Sequence, residues 1–535
     1  MADPYWVSPT GEETWANAQS ATPLSGVDCC SMATMNSSID AGDTAYLRAG
    51  TYATAIVPSN SGSDGSRITI EAHTDETPTV TVSSRGFTLN GSKSYITIDG
   101  ITFQDCSAWG GIINNSHYNE IANCTFDHTG WVGGDKGIYV YTGGGDPCTH
   151  NWFHHNTFSR NAYDPSGCND EGGHIWIGVV GYGNADNYNT IEDNVFSYGG
   201  HHLIEVWGKY NIIRNNVFHN EGWMTGSCSW GPSARNSKYG HRCINIEDGG
   251  SNSEMFNLLE NNRIGHSAFT FASGMDGNIV LTAPGNIVRF NYSYYSETMG
   301  LYFKNRAASA QGNNNRVYNN TLYYNGQDSQ LYPDEWTGWG DLDWRYSIIA
   351  GSGTSGNILK NNIIYDGYND DFTGSGSYTA TNNWVTTDGD PKFVNTDVSD
   401  PTSSTLPDLE LRNDSPCLNG GTYLTQANGS GSDSTTLIVD DVLYFQDGSW
   451  GSGLSNITAD YIAIGTIGNT VQISSIDYAT NTITLSSAMT WDDEDPIWLY
   501  KDSDGTVVLY GTAPNYGAGQ ERAAAFNTSI IVGFE

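Results

Sequence analysis

Histidine, carboxylate, cationic or aromatic residues recur at alternate positions of five short segments in the middle of this 535-residue sequence. In these segments, polar or aromatic residues alternate with Ile, Val, Leu or Phe over residues 137–141, 174–177, 201–207, 241–247 and 301–304. Residues two apart in a strand point to the same face, so each segment is predicted to be a strand with one apolar and one chemically active face. Imidazole, carboxylate and ammonium groups on one surface can transfer protons and stabilise developing charge.

The apolar residues are expected to point inward, namely Ile138, Val140, Ile175, Ile177, Ile204, Val206, Ile244, Ile246, Leu301 and Phe303. The predicted outer face then carries Tyr139, Tyr141, His174, Trp176, His201, Glu205, Trp207, His241, Asn245, Glu247, Tyr302, Lys304 and Arg306. Adjacent strands lie about 4.8 Å apart, so equivalent positions become neighbours if the segments belong to one sheet.

An asparagine-containing repeat predicts how such strands are stacked. Asn, any residue, an apolar residue, two residues, Asn, any residue and an apolar residue recur between 119 and 364, as in 151–158, 189–196 and 357–364. Copies begin roughly 22 to 46 residues apart, a spacing typical of solenoid coils with loops of varying length. Each coil buries its apolar face only against its neighbours, and the asparagines are expected to form a ladder. The repeat therefore predicts a nearly all-β solenoid.

Composition excludes several classes of function. The formal charge is −37 with only 22 Lys and Arg, so no nucleic-acid partner is expected. No apolar run reaches transmembrane length, and the protein is expected to be secreted, with its signal peptide absent from the sequence given. Cys148 with Cys168 and Cys228 with Cys243 are candidate disulfides, and buried free thiols are the alternative.

The chain is predicted to divide into four parts. Residues 1–90 form an N-terminal cap with entry strands, and residues 91–430 form the solenoid, with 390–394 and 408–411 in its last coil. Residues 431–515 alternate without the asparagine repeat, which predicts an antiparallel barrel or sandwich, and 516–535 form a tail.

Three features of the sequence resemble right-handed parallel β-helix proteins of the pectin-lyase-like superfamily, loosely the alginate and chondroitin lyases. These features are the entry segment Leu47-Arg-Ala-Gly-Thr-Tyr52, the asparagine ladder and the ending Asp390-Pro-Lys-Phe-Val394. The resemblance implies a single-stranded parallel β-helix, a secreted enzyme and a polysaccharide substrate. Fold alone does not assign an activity, so the activity must be inferred from the residues on the predicted outer face.

The predicted face suits an acidic polysaccharide. The aromatic rings can stack on the apolar faces of sugar rings. A lyase acting on a uronic-acid polymer must neutralise the sugar carboxylate, remove the adjacent proton and protonate the leaving oxygen, with cations or Ca²⁺ for the first step. The predicted catalytic residues are His201, His241, Arg242, Lys304 and Arg306. The predicted substrate-binding residues are Tyr139, Tyr141, His174, Trp176, Trp207, Lys238 and Tyr302. The predicted Ca²⁺ ligands are Glu205, Asn245, Glu247 and Asp248.

Three alternatives remain open. A glycoside hydrolase would use paired carboxylates, either Glu205 with Glu247 or Asp170 with Glu171. A transition metal could be held by His201, His202 and Glu205 with His174 or His241. A non-catalytic adhesin, monomeric or trimeric, would use the C-terminal part for carbohydrate binding or trimerisation, with the acidic stretch 491–495 as a possible Ca²⁺ site.

Overall fold

The computed structural model describes most of the chain. It covers residues 3–131, 136–143, 146–161, 173–178, 186–199, 202–219, 242–248, 253–267, 277–296, 298–307, 310–326, 345–369, 371–396 and 406–520, with only the backbone of 219, 242, 307 and 310. In these residues, three long parallel sheets of 13, 12 and 10 strands run side by side, here called sheets A, B and C. Successive strands within each sheet come from successive coils, and this pairing confirms the predicted parallel β-helix.

The strands of the three sheets are short. Sheet A contains Tyr5–Val7, Thr44–Leu47, Ile68–Ala72, Ile96–Asp99, Glu120–Ala122, Trp152–His154, Thr190–Glu192, Ile212–Arg214, Leu258–Glu260, Ile287–Arg289, Arg316–Tyr318, Asn357–Lys360 and Tyr378–Thr381. Sheet B contains Gly50–Tyr52, Pro78–Val80, Thr102–Gln104, Thr125–Asp127, Thr157–Ser159, Val195–Ser197, Val217–His219, Arg263–Gly265, Tyr292–Tyr294, Thr321–Tyr323, Ile363–Tyr365 and Trp384–Val385. Sheet C contains Phe87–Asn90, Gly111–Asn114, Lys136–Tyr141, Gly173–Ile177, His202–Val206, Arg242–Ile246, Gly277–Leu281, Met299–Phe303, Tyr346–Ala350 and Phe372–Gly374.

The core consists of rows of equivalent residues from successive coils. On sheet B, Phe103, Phe126, Phe158, Phe196 and Phe218 are fully buried, and successive rings stack with centroids 4.8 to 4.9 Å apart. All ten residues predicted to point inward from sheet C are buried in the same core. Stacking of coils is therefore what removes the apolar surface of each coil from water.

The predicted asparagine ladder is present at the turns that flank sheet A. The Asn262 amide donates to Asn291 Oδ1 at 2.9 Å and to the Ile213 carbonyl at 2.8 Å. In turn, Asn262 Oδ1 accepts the Asn216 amide at 3.0 Å and the Asn216 backbone N–H at 3.1 Å. Each rung thus satisfies buried backbone groups at a turn, where the regular sheet bonds end.

The ends of the stack differ from the coils. The α-helix Met32–Ser38 lies before the second strand of sheet A, and 3₁₀ turns occupy Gly26–Asp28 and Thr386–Asp388. The prediction that residues 390–394 and 408–411 form a last coil is wrong, because Phe393–Asn395 and Asp408–Leu411 pair antiparallel, whereas coils need parallel pairing. A second antiparallel pair joins Asn305–Ala307 to Ala310–Gln311.

The C-terminal antiparallel module is confirmed. Its strands are Thr425–Gln426, Gly431–Ile438, Tyr461–Ile464, Thr470–Asp477, Thr482–Trp491 and Pro496–Lys501. A bridge between Ala427 and Val439 connects the two edge strands, so the sheet closes into a small barrel. The barrel packs against sheet A, where the fully buried Arg289 forms ion pairs with Glu260 of the solenoid and Asp460 of the barrel.

Cys148 and Cys243, each a candidate for a disulfide, are buried free thiols, which was the alternative, and their candidate partners Cys168 and Cys228 lie outside the described residues. The thiol of Cys148 donates to the carbonyls of Ile113 and Tyr141, and burial raises its pKa to about 12. Both thiols lie inside the coil stack, where they pack as small apolar residues. Among the described residues, no helix is long and apolar enough to cross a membrane.

Candidate functional site

Sheet C aligns the predicted site residues in rows across its strands. The central outward row runs in register through Tyr139, Trp176, Glu205, Asn245, Val280, Tyr302 and Ile349. One row further along the strands, backbone hydrogen bonds connect the positions of Tyr141, Gly178, Trp207, Glu247, Thr282 and Lys304. Residues predicted from segments more than 100 positions apart therefore share one face.

The outward position of His174 is a wrong prediction. His174 is fully buried, its Nδ1 lies 3.0 Å from the Asn161 amide nitrogen, and its Nε2 lies 2.9 Å from the Ser197 carbonyl oxygen. Burial lowers the pKa of His174 to about 3. In the next coil, the residue equivalent to His174 is Leu203. Both Leu203 and its neighbour Ile204 lie in the core. Strict alternation fails where the strand begins, because two successive residues there face the interior.

His202, next to the predicted His201, lies on the outer face. Its Nδ1 is 2.7 Å from Glu205 Oε2, and Trp207 Nε1 donates to Glu205 Oε1 at 2.8 Å. Glu205 and His202 are buried, with 3% and 2% of their surface exposed. Alternation gave no signal for this pair, because residues three apart in a regular strand lie on opposite faces.

Glu247 is the second carboxylate of the face. It accepts hydrogen bonds from the Asn245 amide at 2.9 Å, from the Thr282 hydroxyl at 2.6 Å and from Arg306 Nη1 at 3.0 Å. The Arg306 guanidinium carbon also lies 5.0 Å from the centre of the Trp207 ring. These contacts hold a cation over an aromatic plane beside a carboxylate.

The two predicted cations, Arg306 and Lys304, are at least partly exposed to solvent. The side chain of Arg306 is 46% exposed although Glu247, its partner, is only 4% exposed. Lys304, two residues earlier, is partly exposed and follows the strand Met299–Phe303. Both cations are therefore within reach of a ligand at the surface, while Tyr302, with 4% exposure, packs with Val280, Met299 and Ile349.

A continuous group of cations and aromatic rings lies on the N-terminal strands of the face. Lys136 Nζ is 3.9 Å from the centre of the Trp176 ring and 5.1 Å from that of Tyr139. Tyr139 and Tyr141 stack with centroids 4.5 Å apart. Sequence reasoning found the aromatic residues but missed Lys136, which stands before the alternating segment.

Residues with calcium-binding chemistry are brought together in part. Glu205 and Asn245 are direct neighbours on adjacent strands, and Glu247 and Asp248 follow on the second strand, all of them buried. Asn245 Oδ1 is buried without a hydrogen-bond partner, so its lone pairs are not used by another donor. Oxygen donors of these types suit a hard cation.

A transition-metal site receives less support. No group of three or more His, Cys, Asp or Glu side chains that could hold a metal ion exists within the described residues. His174 cannot join His202 and Glu205, because its imidazole bonds to Asn161 and Ser197 inside the coil.

Several predicted site residues lie outside the described residues, namely His201, His241, Lys238, Asp170 and Glu171. The backbone of Arg242 pairs with His202 on sheet C, and its side chain is outside the description. Their predicted roles stay predictions.

Comparison with known proteins agrees with this architecture. Residues 52–218 match the family model described as "Right handed beta helix region". No curated protein matches the sequence.

Among solved structures, pectate lyase Pel9A is 16% identical with a TM-score of 0.46, over 80% of this chain and 94% of that chain. The polysaccharide lyase Pedsa3628 from Pseudopedobacter saltans is 16% identical with a TM-score of 0.38, over 72% and 95%. A rhamnogalacturonan lyase is 12% identical with a TM-score of 0.39, over 77% and 95%. At these identities the likeness concerns the fold alone. The family-model match and the three parallel sheets establish that this chain folds as a right-handed parallel β-helix.

Proposed function

We propose that the protein is a secreted, polysaccharide-degrading enzyme, a lyase that cleaves a uronic-acid-containing polysaccharide by β-elimination. The observation that carries this proposal is the position of Arg306. Its exposed guanidinium is held by Glu247 and by the Trp207 ring, on the face where Lys304 also reaches the surface. A cation beside an aromatic plane suits a sugar ring that bears a carboxylate.

In the proposed reaction, Arg306 binds the sugar carboxylate and lowers the cost of negative charge that develops on it. Lys304, with His241 and Arg242 as further candidates, removes the proton from the carbon beside the carboxylate or protonates the leaving oxygen. The electron pair of the broken C–H bond forms the double bond as the glycosidic bond breaks. Glu247 is a positioning residue, because its contacts fix Arg306.

Ca²⁺ is a proposed cofactor. Glu205, Asn245, Glu247 and Asp248 would hold it, and the partnerless Asn245 Oδ1 supports this assignment. In the arrangement of the described residues, Glu205, Glu247 and Asp248 do not form a group that could hold an ion, so their side chains would have to turn toward Ca²⁺ when it binds. When bound, Ca²⁺ supplies positive charge that neutralises the carboxylate of the sugar.

A glycoside hydrolase with Glu205 and Glu247 as paired carboxylates is the second candidate. These residues lie two positions out of register on neighbouring coils, so their Cα atoms are roughly 8 Å apart and their side chains share one face, as paired carboxylates of a hydrolase must. Both carboxylates already accept hydrogen bonds from fixed donors, Trp207 Nε1 for Glu205 and Thr282 and Arg306 for Glu247. This arrangement suits positioning better than proton donation, so we favour the lyase.

A substrate panel with and without EDTA tests the proposal. Alginate, polygalacturonate and chondroitin are incubated with the protein, and absorbance of unsaturated products and new reducing ends are both followed. We expect unsaturated product from at least one polymer, and its loss in EDTA with recovery on added Ca²⁺. Reducing ends without unsaturation would establish a hydrolase, and retention on a polymer without cleavage would establish a binding protein.

A further inference from the structure

Two residues that precede strands of sheet C extend the charged face beyond the candidate catalytic centre. Arg85 precedes the strand Phe87–Asn90 and Trp109 precedes Gly111–Asn114, and the guanidinium carbon of Arg85 lies 4.2 Å from the centre of the Trp109 ring. The Trp109 ring meets Tyr139 edge-on, with centroids 5.5 Å apart. Backbone bonds from Gly86 to Trp109 and from Gly110 to Lys136 place Arg85, Trp109 and Lys136 at equivalent positions of successive coils.

Arg85 differs from most arginines of this acidic chain. Arg48, Arg214 and Arg316 are paired with carboxylates, as is Arg306. Within the described part of the chain, Arg85 forms no salt bridge, and its Nε is buried without a hydrogen-bond partner. An aromatic face supports the guanidinium without cancelling its charge.

Like Arg85, Trp176 has a buried nitrogen without a hydrogen-bond partner. Its indole Nε1 is buried without a hydrogen-bond partner although the side chain is partly exposed. A Cβ at residue 173 would lie 2.6 Å from this nitrogen, so Gly173 leaves the space that the indole occupies. The Lys136 ammonium nitrogen lies over the same indole, 3.9 Å from the centre of the Trp176 ring.

We propose that Arg85, Trp109, Lys136, Tyr139 and Trp176 form an anion platform, a binding site for the carboxylate-bearing units of a polyanionic sugar chain away from the bond that is cleaved. Arg85 lies four strands from Glu205, or roughly 19 Å at the usual strand spacing, so the platform holds several units of an extended chain. Guanidinium and ammonium groups donate to the carboxylates, and the rings of Trp109, Tyr139 and Trp176 pack against sugar faces.

The cations of the platform also offset, locally, the negative charge of the whole chain. A formal charge of −37 repels a polyanion at long range, so such a ligand needs local cations where it binds. The inference rests on the proposed function for the identity of the reaction, but the platform binds its ligand whether or not the bond is cleaved.

The test compares Arg85→Gln, Lys136→Gln and the double variant with the wild-type chain. Lys501→Gln is the matched control, because Lys501 lies 4.7 Å from the Tyr461 ring centre in the barrel. Thermal melting verifies that each variant folds, and the Lys136→Gln variant carries the test if Arg85→Gln does not fold. Binding to alginate, polygalacturonate and chondroitin sulfate is measured directly, with dextran as the uncharged probe.

For the double variant we expect about tenfold weaker binding to the anionic polymer and a weaker dependence on salt, since two charge-assisted contacts are lost. On long chains KM should rise by a similar factor with kcat unchanged, whereas the shortest cleavable oligosaccharide should be cleaved as by the wild type. The control should match the wild type throughout.

The outcomes separate the two proposals. Polymer binding that weakens in the variants, without any cleavage by the wild type, supports the platform and removes the lyase. Cleavage by the wild type with unchanged binding and KM in the variants overturns the platform alone. Absence of both binding and cleavage in the wild type overturns both.

Discussion

The exposed cation Arg306 is defined by its neighbours rather than by its place in the chain. Glu247 and Trp207 lie 59 and 99 positions before it in the numbering, yet both contact its guanidinium. Planar guanidinium groups pair with carboxylates through two parallel hydrogen bonds, so a fixed arginine gives a sugar carboxylate one preferred orientation. The contact with Glu247 therefore orients the Arg306 guanidinium for a ligand carboxylate.

Arg306→Ala is expected to lower the rate of cleavage by about 100-fold or more, the usual cost of removing a group that stabilises developing charge. Thermal stability should change little, because the side chain is 46% exposed. Initial rates and melting curves measure the two effects. Arg412→Ala is the control, since Arg412 is 57% exposed and pairs with Asp414. Full activity of the Arg306 variant would remove the proposed carboxylate-binding role.

Short strands and turns depend on the asparagine ladder for their alignment. Many strands of sheet A, such as Ile212–Arg214, have only three residues, and from Ile96–Asp99 onward each strand is followed by a residue with positive φ, such as Asn215 or Asn261. Side-chain amides replace the sheet bonds at these turns, so each coil is aligned with the next by its rung.

Asn262→Ala is expected to lower the free energy of unfolding by about 3 kcal/mol, because the change leaves several buried groups without partners. These groups include the Ile213 carbonyl and the Asn216 amide. Urea denaturation measures the loss. The matched variant Asn123→Ala changes an exposed asparagine with positive φ, and it should cost about 1 kcal/mol. Equal losses in the two variants would contradict a special role for the ladder.

Buried polar contacts hold the C-terminal barrel against sheet A of the solenoid. Arg289 donates to both carboxylate oxygens of Asp460 at 2.7 Å and to Glu260 at 2.6 Å, while Tyr318 donates to the Tyr444 carbonyl at 2.8 Å. A second ion pair joins Arg214 to Asp504. The predicted use of this module for carbohydrate binding or trimerisation stays a prediction, and its surface against sheet A is already occupied.

Asp460→Ala is expected to destabilise the protein by about 3 to 5 kcal/mol, since it leaves the buried Arg289 with a single carboxylate partner. Calorimetry should show one transition at lower temperature, because barrel and solenoid share this interface. Asp414→Ala removes an exposed partner of Lys392 and should leave the melting temperature unchanged. Two separate transitions in the wild-type protein would contradict a shared cooperative unit.

The sequence by itself determined the β-solenoid, the antiparallel C-terminal module and the inward positions from Ile138 to Phe303, and its resemblance to β-helix proteins indicated that the solenoid is a parallel β-helix. Periodic apolar residues and repeated asparagines carry this information locally, because each coil obeys the same pattern.

Only the tertiary structure decided which polar residues share the outer face. His174 turned inward because alternation fails at the start of its strand, and His202 took an outward position. Arg85 and Trp109 joined the face although they precede the alternating segments. Coils differ in length, so distance along the chain does not report which residues become neighbours. That is decided when the coils stack and their strands come into register.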